Sequence, residues 1–407
     1  MNRTCQLHHP AASDQTDPLR LIVQPLLDWF DVNQRILPWR EDPTPYHVWI
    51  SEIMLQQTRV SAVISYYNRF LQVLPDIQSL AEVSDDELMK LWQGLGYYSR
   101  ARNLKKTAGI CAADHDGRLP ADYKELLKLP GIGPYTAGAI ASIAFGIARP
   151  AVDGNVLRVI ARILADQRDI ADPAVKKDME SMLQALMESD SREGLHLREM
   201  PGLFNQALME LGALVCLPNG EPRCPDCPVR GVCRACLQEL TDRIPYKAPK
   251  KARKIEKKTV LIIENVEADS HRIQGGADGA DRDSREAGLK IAMRKRPEDG
   301  LLAGLYEFPS LEGHLTDRQI ESYVKDMGTL EHLETGPDAR HVFTHIEWHM
   351  KSYHVQLSRT DQSGLQFYTP DQIREELAVP SAYAAYLKYM DQLLIGTDTK
   401  KRKKIPV

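Results

Sequence analysis

No apolar run in the 407-residue sequence approaches the length of a bilayer-spanning helix. Met1 to Pro18 also lacks the apolar core of a secretory signal and reads as a disordered leader, so a cytoplasmic address without membrane attachment is expected. Excess charge is missing too. Lys and Arg number 52 against 56 Asp and Glu, a net charge of −4 that by itself excludes any argument for a nucleic-acid partner from the average. The basic residues are unevenly spread, however. Lys247 to Lys258 holds seven Lys/Arg and one Glu, either a solvated linker or one that also lies along phosphates. Lys400 to Lys404 is a charge run read as a solvated tail. In a reducing compartment the seven cysteines do not point to disulfides. Five of them crowd into Cys216 to Cys236, and such crowding means metal.

What is present is a soluble composition, 43% hydrophobic and 27% charged, on a chain too long for one core. Up to about residue 235 no strand-like alternation appears, and helix starts recur. Ser84 with Glu87 is one, Asp122 with Glu125 another, and Pro134 suits a first helical turn. Small residues from Ala137 to Ala144 suit close packing. Beyond the basic stretch the period changes. Strands are expected over Thr259 to Glu264, Leu289 to Arg294, Val342 to Trp348 and Tyr353 to Leu357. Helices are expected after Thr316, over Asp371 to Leu377 and over Ala382 to Leu394. Asn265 to Ala287 reads as a disordered insertion. The fold class is multidomain: an all-α core followed by an α+β domain. Its parts are a leader (1–18), a helical domain (19–245), a basic linker (246–258), the second domain (259–395) and a basic tail (396–407).

Three groups of residues carry chemistry. Leu129 to Ala137 sets Gly131 and Gly133 in a tight turn that opens a helix, which matches a helix–hairpin–helix phosphate site; plain packing is the other reading. Glu52 stands in the nearly unbroken apolar run Val48 to Leu55, where partial desolvation would raise its pKa and keep a proton available. At a helix edge it would instead face water. Asp153 precedes a new helix and, as its cap, would keep its charge; a plain cap is the simpler reading. A neutral and a charged carboxyl together suit N-glycoside hydrolysis, which needs an acid for the leaving base and an anion near the developing sugar cation. Finally, Cys216, Cys224, Cys227 and Cys233 give C-x7-C-x2-C-x5-C, a spacing that suits an iron–sulfur cluster. Zinc on Cys224, Cys227, Cys233 and Cys236 is the rival, but the gap of five between the pairs is short for a zinc ribbon.

Leu37-Pro-Trp-Arg40, Trp49 to Thr58, Gly94 to Arg100, Leu129 to Tyr135, Val152 to Val156 and Phe204 to Gly212 follow in order. Together they resemble the MutY-type adenine glycosylases of the helix–hairpin–helix superfamily. Arg296-Pro and Gly300 to Pro309 are similar to that family's Nudix-related C-terminal domain. The resemblance covers roughly residues 19 to 395. It implies a base-excision-repair enzyme that flips adenine out of a mispair with 8-oxoguanine or guanine in double-stranded DNA, as a monomer associated with the nucleoid. It further implies Glu52 as the general acid toward adenine N7, Asp153 as the stabiliser of the sugar cation, and Asn155 and Tyr135 as supports. Arg35, Leu37, Trp39, Arg40 and Gln206 would line the adenine pocket. Gln57, Thr58, Leu95 and Tyr97 would lie near the estranged 8-oxoguanine, with Tyr97 as a wedge, and Phe343, Thr344 and His345 would read it. Cys216, Cys224, Cys227 and Cys233 would hold a 4Fe-4S cluster. Tyr135 stands where strand-cleaving relatives carry a Schiff-base lysine, which implies a monofunctional enzyme.

Two residues depart from the family pattern. The first cysteine gap is seven instead of six, which Gly220 could absorb or Cys236 could answer by entering the site. Thr344 replaces a family serine. The alternative activity is removal of another mispaired base, such as thymine or uracil opposite guanine. A Nudix hydrolase would need a carboxylate-rich helix after Pro309, and Thr316 to Met327 lacks that set.

Overall fold

The computed structural model describes residues 17–189, 197–249, 252–266, 289–360 and 364–395. Apart from their edges, the expected leader, the Gly- and Asp-rich insertion and the basic tail lie outside them. The chain divides into two compact units: Met1–Ala81 with Asn103–Pro249, and Glu82–Arg102 with Lys250–Val407. The helical region is therefore not one continuous unit, and hydrogen bonds show why Glu82–Arg102 groups with the later chain. Lys90 Nζ donates to the carbonyls of Arg374 and Leu377, Gln93 Nε2 to that of Val379 (3.1 Å), and Arg102 to that of Ala303 (2.7 Å). Lys295 pairs with Asp86 at 2.7 Å.

The first unit is built on helices whose starts follow local chemistry. Thr44 accepts the His47 N–H and Pro45 occupies the first turn of Pro45–Leu55. Asp122 accepts from Lys124 and Glu125 ahead of the short helix Tyr123–Leu126. Helices Val23–Asn33, Gly154–Leu164, Pro173–Glu188 and Pro201–Leu214 bury Phe30, Ile160, Met179 and Phe204 in a shared core. The helix Pro134–Ala139 runs on into a π-helical turn, Ile140–Ala144, instead of staying α-helical to Ala144. Close packing there is literal: a Cβ at Gly138 would stand 2.2 Å from the Pro150 carbonyl oxygen.

The second unit is a mixed sheet covered on both faces. Its strands are β1 (Lys254–Asn265), β2 (Lys290–Lys295), β3 (Tyr306–Glu307), β4 (Ser310–Glu312), β5 (Thr329–Thr335), β6 (Ala339–Val342), β7 (Ile346–Ser358) and β8 (Gln366–Tyr368). The main path runs β3-β2-β1-β7-β5. Alternation sends Val260 and Ile262 to the face covered by Tyr386 and Met390 of the last helix, Ala384–Ile395. Leu261 and Ile263 go to the other face, against Ile320 and Val324 of helix Asp317–Val324.

Four expectations need correction here. Val342 to Trp348 and Tyr353 to Leu357 are not two strands. A single β7 pairs in parallel with β1 from Lys254↔Ile346 to Asn265↔Leu357, and this unbroken ladder overrides the Lys351–Ser352 polar pause. Phe343, Thr344 and His345 consequently sit in the turn between β6 and β7, where the Phe343 N–H bonds to the Ile346 carbonyl (2.8 Å). The same ladder makes Lys254 to Lys258, expected in the linker, the start of β1. The last helix begins at Ala384, after a 3₁₀ turn over Ser381–Tyr383. β5 carries no clear alternation in sequence and had not been anticipated.

Gly138→Ala should destabilise the first unit, because backbone atoms of residue 150 stand where the methyl must go. A cost of about 1–3 kcal/mol is expected, read as a lower midpoint for loss of helical circular dichroism; an unchanged midpoint would show that the close approach is dispensable.

Candidate active site and cysteine cluster

Three chain segments of the first unit bring two carboxyls to one cavity of about 620 Å³. Glu52 comes from helix Pro45–Leu55, Tyr135 from the first turn of Pro134–Ala139, and Asp153 from the N-terminal cap of Gly154–Leu164. Glu52 is buried, only 6% exposed, and its Oε2 accepts the Tyr135 hydroxyl at 2.5 Å. Burial pushes its carboxyl up to about 7; Asp153 adds to the rise, while the Tyr135 bond and the Arg40 charge oppose it. The desolvation expected from the apolar run is therefore present, and Glu52 does not stand at a solvent-facing edge. Tyr135 is itself held well above the usual phenol range by burial and by both carboxylates.

Asp153 is a cap, as expected. Its Oδ1 accepts the N–H groups of Asn155 (2.8 Å) and Val156 (2.7 Å), and its Oδ2 accepts Asn155 Nδ2 (2.8 Å). Capping and burial act on this carboxyl in opposite senses. Burial outweighs these bonds and the nearby Arg158, so its pKa lies above the ordinary carboxylate value. Arg158 ties this corner together, with Nη2 donating to Asn155 Oδ1 (3.0 Å) and to the Gly212 carbonyl (2.8 Å), and Nε to the Cys216 carbonyl (2.8 Å).

Arg35, Leu37, Trp39, Arg40, Gln57, Thr58, Gly133, Asn155 and Gln206 also line the cavity. Gly131 does not. It has φ +77° and lies against Asn103, whose Cβ a methyl at 131 would meet at 2.7 Å. A residue that sequence reading passed over completes the wall. Glu210, 1% exposed, receives Arg35 Nε (2.8 Å), Nη2 (2.8 Å) and backbone N–H (2.9 Å), together with Arg40 Nη2 (2.9 Å). Burial would raise its pKa, but these donors outweigh burial and hold it near 2. No local signal marks it: Glu210 shares its helix with Asn205 and Gln206, and its partners Arg35 and Arg40 are remote in sequence.

Residues 50–185 match the HhH-GPD superfamily of base excision DNA repair proteins, and residues 285–389 match a NUDIX domain. The chain is 35% identical over 392 residues to the adenine DNA glycosylase of Mus musculus, covering 83% of this chain and 71% of that relative. It is 33% identical over 434 residues to the adenine DNA glycosylase of Rattus norvegicus, covering 91% and 78%. The chain belongs to the adenine DNA glycosylase family. A solved thermostable thymine-DNA glycosylase is 27% identical, with a TM-score of 0.47 over 54% of this chain and 97% of that one.

In this family member the remaining site residues lie elsewhere. Tyr97, in the left-handed region at φ +48°, is 46% exposed, and its hydroxyl stands 3.2 Å from Thr344 Oγ1 within the second unit. The two belong to motifs 247 residues apart and share a cavity of about 400 Å³ with Phe343 and His345. Phe343 turns inward onto Trp348, with ring centroids 4.8 Å apart, whereas Thr344 and His345 are exposed. Leu95 is buried instead of presented at the surface. In the first unit Cys216, Cys224, Cys227, Cys233 and also Cys236 line one small cavity with Arg162, whose Nη1 is 3.2 Å from Cys216 Sγ. Among the described residues no three of His, Cys, Asp or Glu converge closely enough to grip a single ion.

Glu210→Gln keeps the shape of the anchor and removes its charge. Arg40 then acts on Glu52 without its counter-ion, which favours the Glu52 carboxylate and lowers its pKa. Because the protonated form is lost as pH rises through about 7, the alkaline limb of base excision should move to lower pH, by roughly half a unit to one unit. Single-turnover rates across pH 5 to 9 (about the range that brackets this titration) test this; an unmoved limb would separate Glu210 from the acid.

Proposed function

We propose that the chain removes adenine paired with 8-oxoguanine or guanine in double-stranded DNA, hydrolysing the N-glycosidic bond after the base is flipped. The observation that carries the reading is the buried Glu52, bonded to Tyr135 and facing Asp153 in one cavity of suitable size. A carboxyl poised near neutrality has a proton to give and is a strong enough acid to give it. In the proposed reaction Glu52 passes that proton to N7 of the leaving adenine. The bond to C1′ breaks with its electrons going to the base, and Asp153 faces the cationic sugar that water then captures. Asn155 and Tyr135 position the two carboxyls. Arg35, Leu37, Trp39, Arg40 and Gln206 line the base pocket, with Gln57, Thr58 and Gly133 on the DNA side. Tyr135 carries no amine for a Schiff base, so base removal without strand cleavage is expected.

The cysteines fit the 4Fe-4S cluster that the family pattern implies. Five thiols surround one cavity with an arginine beside them, and thiolates that each meet a different iron stand farther apart than the ligands of one zinc ion. Cys216, Cys224, Cys227 and Cys233 would hold it, and when bound it would supply a rigid cross-link with a net charge that Arg162 can balance. In the second unit Tyr97, Thr344 and His345 would meet the opposite base, with Leu95 packed beneath and Gly131 shaping the hairpin that follows the backbone. We assign the first unit to catalysis and the second unit, with its Glu82–Arg102 segment, to lesion reading. A monomer acting on DNA in the cytoplasm is the expected working form.

Glu52→Gln should still bind mispaired duplex but lose excision by roughly 10²–10⁴-fold, since an amide cannot protonate the base. Wild-type single-turnover rates in that variant would remove Glu52 from the role. The wild-type assay should pair adenine, thymine and uracil each with guanine and 8-oxoguanine; preferred release of thymine or uracil would replace adenine as the substrate.

Thr344→Ala and His345→Ala should leave excision opposite guanine intact while each erodes the preference for 8-oxoguanine by up to about tenfold, the worth of one unpaired polar group. Unchanged preference in both variants would take lesion reading away from this turn.

A further inference from the structure

On the reading that the cysteine cavity holds a 4Fe-4S cluster, we propose that Cys224 and Cys236 share one ligand position, either thiol completing the set with Cys216, Cys227 and Cys233. Five cysteines line a cavity that needs four ligands. Three of them are pinned. Cys216 has its carbonyl bonded by Arg158 Nε at 2.8 Å and its sulfur by Arg162 Nη1 at 3.2 Å. Cys227 is held through its backbone, its N–H on the Cys224 carbonyl and its carbonyl receiving the Arg230 N–H, both at 3.2 Å, and the Cys233 sulfur donates to the Arg162 carbonyl at 3.4 Å.

Cys224 and Cys236 differ from these three. Both also line a second, outer hollow together with Gly220 and Glu239, and none of the pinned three does. They therefore stand side by side where the cavity meets the surface. The backbone of Cys236 is set by the short helix Arg234–Leu237, so a change of side-chain rotamer, without movement of the chain, turns its sulfur inward or outward. The seven-residue Cys216–Cys224 gap turns at Gly220, which takes φ +74° and lines the same outer hollow as the two cysteines. The exchange needs no oxidant or reductant. The incoming thiol gives up its proton as it takes the ligand position, and the outgoing thiolate takes one up.

The full chain is prepared as wild type, Cys224→Ser, Cys236→Ser and the double variant, and iron and acid-labile sulfide are counted per chain. The wild type and both single variants should carry about four irons, and the double variant should lose them. Loss in either single variant overturns shared ligation by naming a sole ligand, and full retention in the double overturns it by showing that neither is needed. A wild type without iron defeats the cluster reading itself, which is a different failure. Alkylation by iodoacetamide, located by peptide mass spectrometry, gives a readout independent of how the double variant folds. Cys236 should be protected in iron-loaded Cys224→Ser and reactive once iron is chelated away; equal reactivity in the two states would sink the proposal.

Discussion

The hydrogen bond from Tyr135 to Glu52 is the contact around which the cavity of the helical unit is assembled. Burial alone would leave Glu52 neutral and a poor acid, whereas a donor and a guanidinium alone would leave it ionised at neutral pH. Holding both influences on one carboxyl requires three chain segments to end within a few ångströms of each other. Thr44 and Pro45 start the Glu52 helix, Pro134 starts the Tyr135 helix, and Asp153 caps the third. The closeness of Gly138 to the Pro150 carbonyl and of Gly212 to Asn155 is the packing counterpart of that requirement. Side chains at either glycine would push these ends apart.

The cavity also has to contain two arginines without becoming strongly positive. Glu210 answers this from within the helix core, and Arg40 is steadied further over the Phe30 ring at 5.3 Å. Arg158 does comparable duty across the site. By bonding Asn155, Gly212 and Cys216 it links the partner of the Asp153 cap, a helix terminus and the cysteine loop through one rigid planar group. The second unit carries an analogous charge knot: buried Glu307 receives Arg294, Arg296 and the Tyr383 hydroxyl.

Residues whose local chemistry is unusual could be read from the chain. Glu52 in an apolar run, Asp153 ahead of a helix and five crowded cysteines each announce themselves without a partner. Glu210 did not, since a glutamate on a helix has meaning only once Arg35 and Arg40, 175 and 170 residues away, are seen to meet it. Asp153 was legible as a cap, since capping is local, but the burial that raises its pKa is a property of the assembled cavity. The sheet was misread for the same reason. The Lys254–Lys258 segment looks like a solvated linker until its pairing with β7 is known, and that pairing is also what moves Phe343 to His345 from a strand into a turn.

The membership of Glu82–Arg102 in the second unit bears on how the chain is made. This segment is synthesised in the first quarter of the protein, yet the carbonyls that its Lys90 and Gln93 bond belong to residues 374, 377 and 379. At ordinary ribosomal speeds, roughly 5–20 residues per second, those partners emerge some fifteen seconds to a minute later. Ser84, with three acidic residues in the first turn of the helix it caps, suits the wait, because it favours a local helix that can form before anything else arrives. The segment is thus built to be self-sufficient first and shared later.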